Sequence, residues 1–306
     1  MPSLSSLAVA GSLLALAPIA QSRTTFVGTT PCHAAALTFV GGMPAGVACR
    51  AIKWELTLGT AEAADRWSLR VVYAVPAGSI PGANVDGPTV TKHGTLTRST
   101  VQRLGRASTL FRLTGDAGTS IAFAQLSANL VNLAGDDGTL VPGNAAAGYT
   151  LTRADRVEPP VVEIPRASEG SYTVPPMETG SHVFATYIGR TPCAGLARDL
   201  KLAGAEGCVR LKWRVQLLKD PITNQPTTYI AGNSLTRDRS WTGTWRIIRG
   251  TPDFPDASVY QLDADAAHGP IMLLRMDDNI VLFLDQQRQP LPGNADFTYT
   301  LTRSVQ

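Results

Sequence analysis

The heptapeptide FVGTTPC (Phe26–Cys32) returns later in the same chain as YIGRTPC (Tyr187–Cys193). The match continues in order. Cys49 is followed by RAIKWELTL and Cys208 by VRLKWRVQL, so Lys53-Trp54 meets Lys212-Trp213. Gly94-Thr95 meets Gly243-Thr244, LFRL (Leu110–Leu113) meets VYQL (Val259–Leu262), and Tyr73 is matched with Tyr229. The ends agree best: VPGNAAAGYTLTR (Val141–Arg153) against LPGNADFTYTLTR (Leu291–Arg303). A repeat of this length is a whole domain with its own core, not one turn of a solenoid. The chain therefore divides into residues 1–22, a first copy over 23–153, a connector over 154–184 and a second copy over 185–306.

Within each copy the hydrophobic period is two. Ile52, Trp54, Leu56 and Leu58 alternate with polar residues, as do Leu211, Trp213, Val215 and Leu217, then Trp241, Gly243, Trp245 and Ile247. Alternation of this kind marks strands with one wet face. Turn signals separate the strands, among them Asp136-Asp137-Gly138, Pro142-Gly143-Asn144, Asp277-Asp278-Asn279 and Pro292-Gly293-Asn294. The 28 glycines and 21 prolines of the 306-residue chain fit that turn density. No helix of core size is expected outside residues 1–22. The expected fold is all-β: two tandem small antiparallel domains, each a closed barrel or a sandwich, with the barrel preferred because closure removes exposed sheet edges. The connector carries Pro159, Pro160, Pro165, Pro175 and Pro176, a composition that stiffens and extends a chain. Spaced domains that move independently are the expectation.

Residues 1–22 hold no charged side chain, an apolar run over Leu13–Ala20 broken at Pro18, and a small-residue triplet ending at Ser22. That is the pattern of an export signal cleaved near Ser22, and it places the mature chain in the periplasm or outside the cell. The stretch is too interrupted to span a bilayer, and no later segment is apolar enough to do so, so no membrane span is expected in the mature chain. A formal charge of +3, without a Lys/Arg stripe, argues against a nucleic-acid partner.

In the second copy YIGRTPC, the C-x-x-x-K-W-x-V-x-L strand, Trp241-Thr242-Gly243-Thr244-Trp245, MDDNIVLFLDQQRQPL and the closing YTLTR stand in a fixed order. This order resembles the N-terminal domain of the NlpE family, envelope lipoproteins of copper resistance and surface stress. The first copy keeps the opening, the second cysteine and YTLTR, with Gly94-Thr95-Leu96 where the family has G-T-W. The resemblance implies lipocalin-like eight-stranded barrels in the bacterial envelope and a sensing role exercised through an envelope protein partner. Two departures stand out. The family's tight C-x-x-C is opened to Cys32…Cys49 and Cys193…Cys208, and residues 1–22 contain no lipid-attachment cysteine.

Four cysteines at matching places in two exported repeats read as two disulfides, Cys32 with Cys49 and Cys193 with Cys208. A second reading is Cu(I) held by Cys32, His33, Met43 and Cys49, a soft thiolate, imidazole and thioether set. The second copy has Ala194 in place of His33 and no methionine before Cys208, so copper accounts for one copy and a disulfide for both. Trp54, Trp213, Trp241 and Trp245 fill the barrels or line a cavity for a small hydrophobic ligand. Asp263, Asp265, Asp277 and Asp278 are the only cluster on which a hydrolase could be built, and Asp277-Asp278 lies in a turn where Asp serves the backbone. His33, His93, His182 and His268 show no metal-ligand spacing. The function expected is non-enzymatic: envelope sensing through protein contacts, with a lipocalin-like carrier as the runner-up and an enzyme third.

Overall fold

A computed structural model describes residues 23–59, 63–77, 84–115, 118–159, 178–202, 205–235, 240–263 and 269–304. The export-signal reading of residues 1–22 and most of the proline-rich connector lie outside these residues. The first copy runs β1 (Thr24–Thr30), α1 (Ala34–Val40), β2 (Ala51–Leu58), β3 (Arg66–Pro76), β4 (Asn84–Arg103), β5 (Arg106–Gly115), β6 (Ser120–Ser127), β7 (Leu130–Ala134) and β8 (Thr150–Arg153). The second runs β9 (Val183–Pro192), α2 (Ala194–Asp199), β10 (Arg210–Lys219), β11 (Pro226–Asn233), β12 (Trp241–Arg249), β13 (Ser258–Leu262), β14 (Ile271–Arg275), β15 (Ile280–Phe283) and β16 (Thr300–Arg303). Each set of eight strands closes into an antiparallel up-and-down barrel. Closure sets Phe26 of β1 opposite Arg153 of β8, and Tyr187 of β9 opposite Arg303 of β16.

The alternation seen in the sequence becomes the wall of each barrel. Ile52, Trp54, Leu56, Leu69, Val71, Leu113, Phe123 and Leu151 fill the first lumen. Leu211, Trp213, Val215, Leu217, Trp245, Leu262, Phe283 and Leu301 fill the second. The strand registers also explain the recurring Gly-Thr pair. Gly94 stands opposite Trp67 and Gly243 opposite Tyr229. A Cβ on Gly94 would lie 2.8 Å from the Trp67 ring, and one on Gly243 would lie 3.0 Å from that of Tyr229. Glycine there is the space into which a cross-strand aromatic folds. Tyr229 is thus the counterpart of Trp67, not of Tyr73, because Leu58 faces Trp67 in the register where Leu217 faces Tyr229.

The expectation of no core-sized helix holds, with one addition. Each copy contains a short helix directly after its Pro-Cys, too brief to show a helical period. In α1 the His33 ring accepts from the Ala35 amide at 3.2 Å, and Gly41 ends the helix at φ 65°. Tertiary burial holds it: Phe39 is 1% exposed, with its ring 5.4 Å from that of Trp67. One expectation does need correction: the barrels are docked, not spaced.

The outer faces of β5, β6 and β7 (Leu110, Ala122, Ala124, Leu126, Leu130) join those of β13, β14 and β15 (Val259, Met272, Leu274, Ile280, Leu282) in one buried cluster. The best-matched segments of the two copies meet here as well. The Gly143 amide donates to Thr302 Oγ1 at 3.1 Å, and the Gly293 amide donates to Thr152 Oγ1 at 3.1 Å. Between them Thr300 Oγ1 donates to Thr150 Oγ1 at 3.1 Å, and Thr150 Oγ1 donates to Asn132 Oδ1 at 2.9 Å. Reciprocal contacts of this kind make an isologous interface, the arrangement of a two-fold dimer inside one chain. The connector is clamped too. The Glu158 amide donates to Gly293 O at 3.0 Å, and the Glu178 amide donates to Gln216 Oε1 at 3.0 Å.

Candidate functional site

The four cysteines form Cys32–Cys49 and Cys193–Cys208 disulfides, with Cα atoms 6.1 and 5.8 Å apart. Each ties the loop after its helix to the barrel rim. In the first copy Tyr73 Oη donates to Gly41 O at 2.7 Å and Lys92 Nζ to Phe39 O at 2.8 Å, fixing the loop base. Met43 packs against the barrel core, and Val47 is 41% exposed at the tip. As bonded sulfurs Cys32 and Cys49 are not thiolate donors, and His33 is engaged as the helix cap. No group of three or more His, Cys, Asp or Glu placed to hold a metal occurs among the described residues.

Of the four tryptophans considered for a cavity, three are core. Trp54, Trp213 and Trp245 are 3–4% exposed. Their indole N–H groups are satisfied inside the barrel, by Thr30 Oγ1 at 2.8 Å, Thr191 Oγ1 at 3.0 Å and Leu218 O at 2.6 Å. Trp241 is partly exposed, with its ring 6.1 Å from that of Trp213. Asp277 and Asp278 serve a turn, while Asp263 meets the Tyr229 hydroxyl. Asp277 accepts from the Asn279 and Ile280 amides at 2.8 Å each, and Asp278 pairs with Arg275. Asp265 and His268 lie outside the described residues. His93 lies exposed in β4, and His182 pairs with Glu178 at 2.8 Å.

The feature the tryptophans and cysteines do not mark is a pocket of about 180 Å³ at the mouth of the first barrel. Thr24, Phe26 and Leu58 line one side; Arg98, Phe111, Gln125, Ala128 and Arg153 line the other. Arg98 is exposed, stands over the Phe111 ring with its guanidinium carbon 5.8 Å from the centroid, and donates one N–H to Ala64 O at 2.8 Å. Arg153 forms a two-pronged pair with Asp155, at 2.6 and 2.7 Å. That pair holds the Arg153 guanidinium above and the Asp155 carboxyl below their ordinary values.

The strand registers locate the same place in the second barrel, and there it is filled. Tyr187 stands for Phe26, Tyr260 for Phe111 and Trp245 for Leu96. The Trp245 ring lies 5.2 Å from Phe184 and 5.5 Å from Tyr260, and Phe184 meets Tyr260 edge-on at 5.8 Å. Burial raises both the Tyr187 and the Tyr260 hydroxyls above the usual phenol value, Tyr187 strongly. Four rings meet at the second mouth, whereas in the first Leu96 stands where Trp245 does and Arg23 where Phe184 does, so two of the four rings are missing. The exchange was visible in the sequence as Gly-Thr-Leu in place of G-T-W, without any sign of what it opens. Comparisons of the chain with family models, with curated proteins and with solved structures returned no match.

Proposed function

We propose that the chain is a non-enzymatic, extracytoplasmic protein of the bacterial envelope, periplasmic or secreted, that senses or responds to surface or copper stress through contact with an envelope protein. The observation that carries this reading is the filling of both lumens by aromatic and aliphatic side chains. Packed barrels leave the outer surface as the place where the protein meets others, and they disfavour a lipocalin-like carrier with its cargo in the lumen. Two disulfides suit an oxidising compartment. No helix among the described residues is long and apolar enough to cross a membrane. The order of motifs shared with the NlpE family supports the envelope role.

The disulfide-tied loops of the two copies present different surfaces. In the first copy it carries no charge, whereas in the second it bears Arg198, Asp199, Lys201 and Glu206. A photo-crosslinking residue at Val47, expressed in cells with and without copper or surface attachment, tests the reading. A discrete adduct with an envelope protein that changes with the stress is expected, against none from the exposed control position Ile222. Equal labelling at both positions, or no adduct in either condition, would overturn it.

A further inference from the structure

We propose that the open mouth of the first barrel is a binding site for a small aromatic carboxylate. Three observations select that class. The pocket measures about 180 Å³, a little more than the 150 Å³ or so known to accept a benzene ring. Its apolar wall is built from Phe26, Phe111 and Leu58, which suits a ring and disfavours a strongly hydrated dianion such as phosphate. Its polar edge is supplied by Arg98, a planar fork of five donors of which one is spent on Ala64 O, and by Gln125. A guanidinium fork matches a carboxylate in two parallel hydrogen bonds.

The site already contains an example of the recognition it would perform. Asp155 follows β8 in the chain and lays its carboxylate on Arg153 through both oxygens, at the rim of the same pocket. Asp155 therefore neutralises one of the two arginines and leaves Arg98 to take the ligand. It also lowers the positive potential at the mouth, so its removal strengthens binding of an anion. The second barrel is the built-in control: its equivalent of Leu96 is Trp245, and its mouth is occupied by its own rings.

The test is calorimetric titration of the whole chain with sodium phenylacetate, and in parallel with phenylacetamide and with inorganic phosphate. Saturable one-to-one binding of phenylacetate is expected, at least about tenfold tighter than of the amide or of phosphate, since a charge-assisted pair outweighs a neutral one. Arg98→Gln, at an exposed position where folding is not at stake, should weaken it about tenfold. Asp155→Asn should tighten it a few-fold. Leu96→Trp, which copies the second barrel's own solution, should abolish it. Absence of saturable binding, equal affinity for acid and amide, preference for phosphate, or undiminished binding in Arg98→Gln and Leu96→Trp would each overturn the assignment.

Discussion

Leu274 sits on the outer wall of β14, pointing away from its own lumen, and yet it is 0% exposed because the first barrel covers it. Truncation to Ala therefore distinguishes docked barrels from separate ones. If the outer wall of β14 faced water, Leu274→Ala would change stability by no more than about 0.5 kcal/mol. Buried between two barrels, the substitution leaves a cavity and costs about 3 kcal/mol, the middle of the range for Leu in a packed core. For a cooperative unit of this size that lowers Tm by roughly 6 °C. Urea denaturation and differential calorimetry read both quantities. Leu217→Ala, at a 0% exposed lumen position of β10, is the reference and should cost a similar amount whether or not the barrels touch. Leu274→Glu buries an unpaired charge and should split a single transition into two as the barrels part. A Leu274→Ala cost within 0.5 kcal/mol of zero, beside a full-sized Leu217→Ala cost, would refute the docking.

Replacing Cys32 and Cys49 together by Ser should cost about 3 kcal/mol, by restoring freedom to the unfolded loop, and the Cys193/Cys208 pair should behave alike in denaturation without reductant. Gly94→Ala should cost about 2 kcal/mol or more, because the new Cβ meets both the Trp67 ring and the Thr114 carbonyl oxygen; a stability equal to wild type in thermal melts would contradict the cross-strand account. Burial raises the Glu158 carboxyl above its usual value, although Tyr299 Oη donates to it at 2.7 Å. The folded chain then binds this proton more tightly than the unfolded one, so the contribution favours folding at low pH and fades as pH rises from about 4.5 through the raised value. Glu158→Gln keeps an acceptor for Tyr299 and should remove that part of the pH dependence, read as the difference between denaturation midpoints at pH 4.5 and 7.5.

The barrels themselves were legible because their inner faces obey a period of two: Ile52-Trp54-Leu56-Leu58 and Leu211-Trp213-Val215-Leu217 are lumen residues in the fold. The docking was written less plainly. Ile271-Met272-Leu273-Leu274 and Ile280–Leu284 are unbroken apolar runs, the signature of strands buried on both faces. Beside a proline-rich connector such runs suggest only a well-filled barrel. The near-identity of VPGNAAAGYTLTR and LPGNADFTYTLTR marks the copies as duplicates, and the fold adds a physical reason for it. Thr152 and Thr302 each serve the other copy's turn glycine, so both partners of an isologous contact need the same residues. The short helices escaped because seven and six residues hold too few turns to display a period; they form because the barrel end accepts Phe39 and Leu196. The open mouth escaped because its residues come from six strands and the loop before β7, and no two of them make a motif.

Native mass spectrometry of the protein purified from its source cells without reductant tests the functional account most directly. Lumens filled by their own side chains and sulfurs bonded in pairs predict a mass lower by two hydrogens for each of the two disulfides, with neither copper nor a lipid-sized cargo; a small aromatic acid at the mouth of the first barrel is a separate matter. Free thiols carrying copper, or a lipid-sized ligand that could only be held by emptying a lumen, would contradict a protein that works through its outer surface.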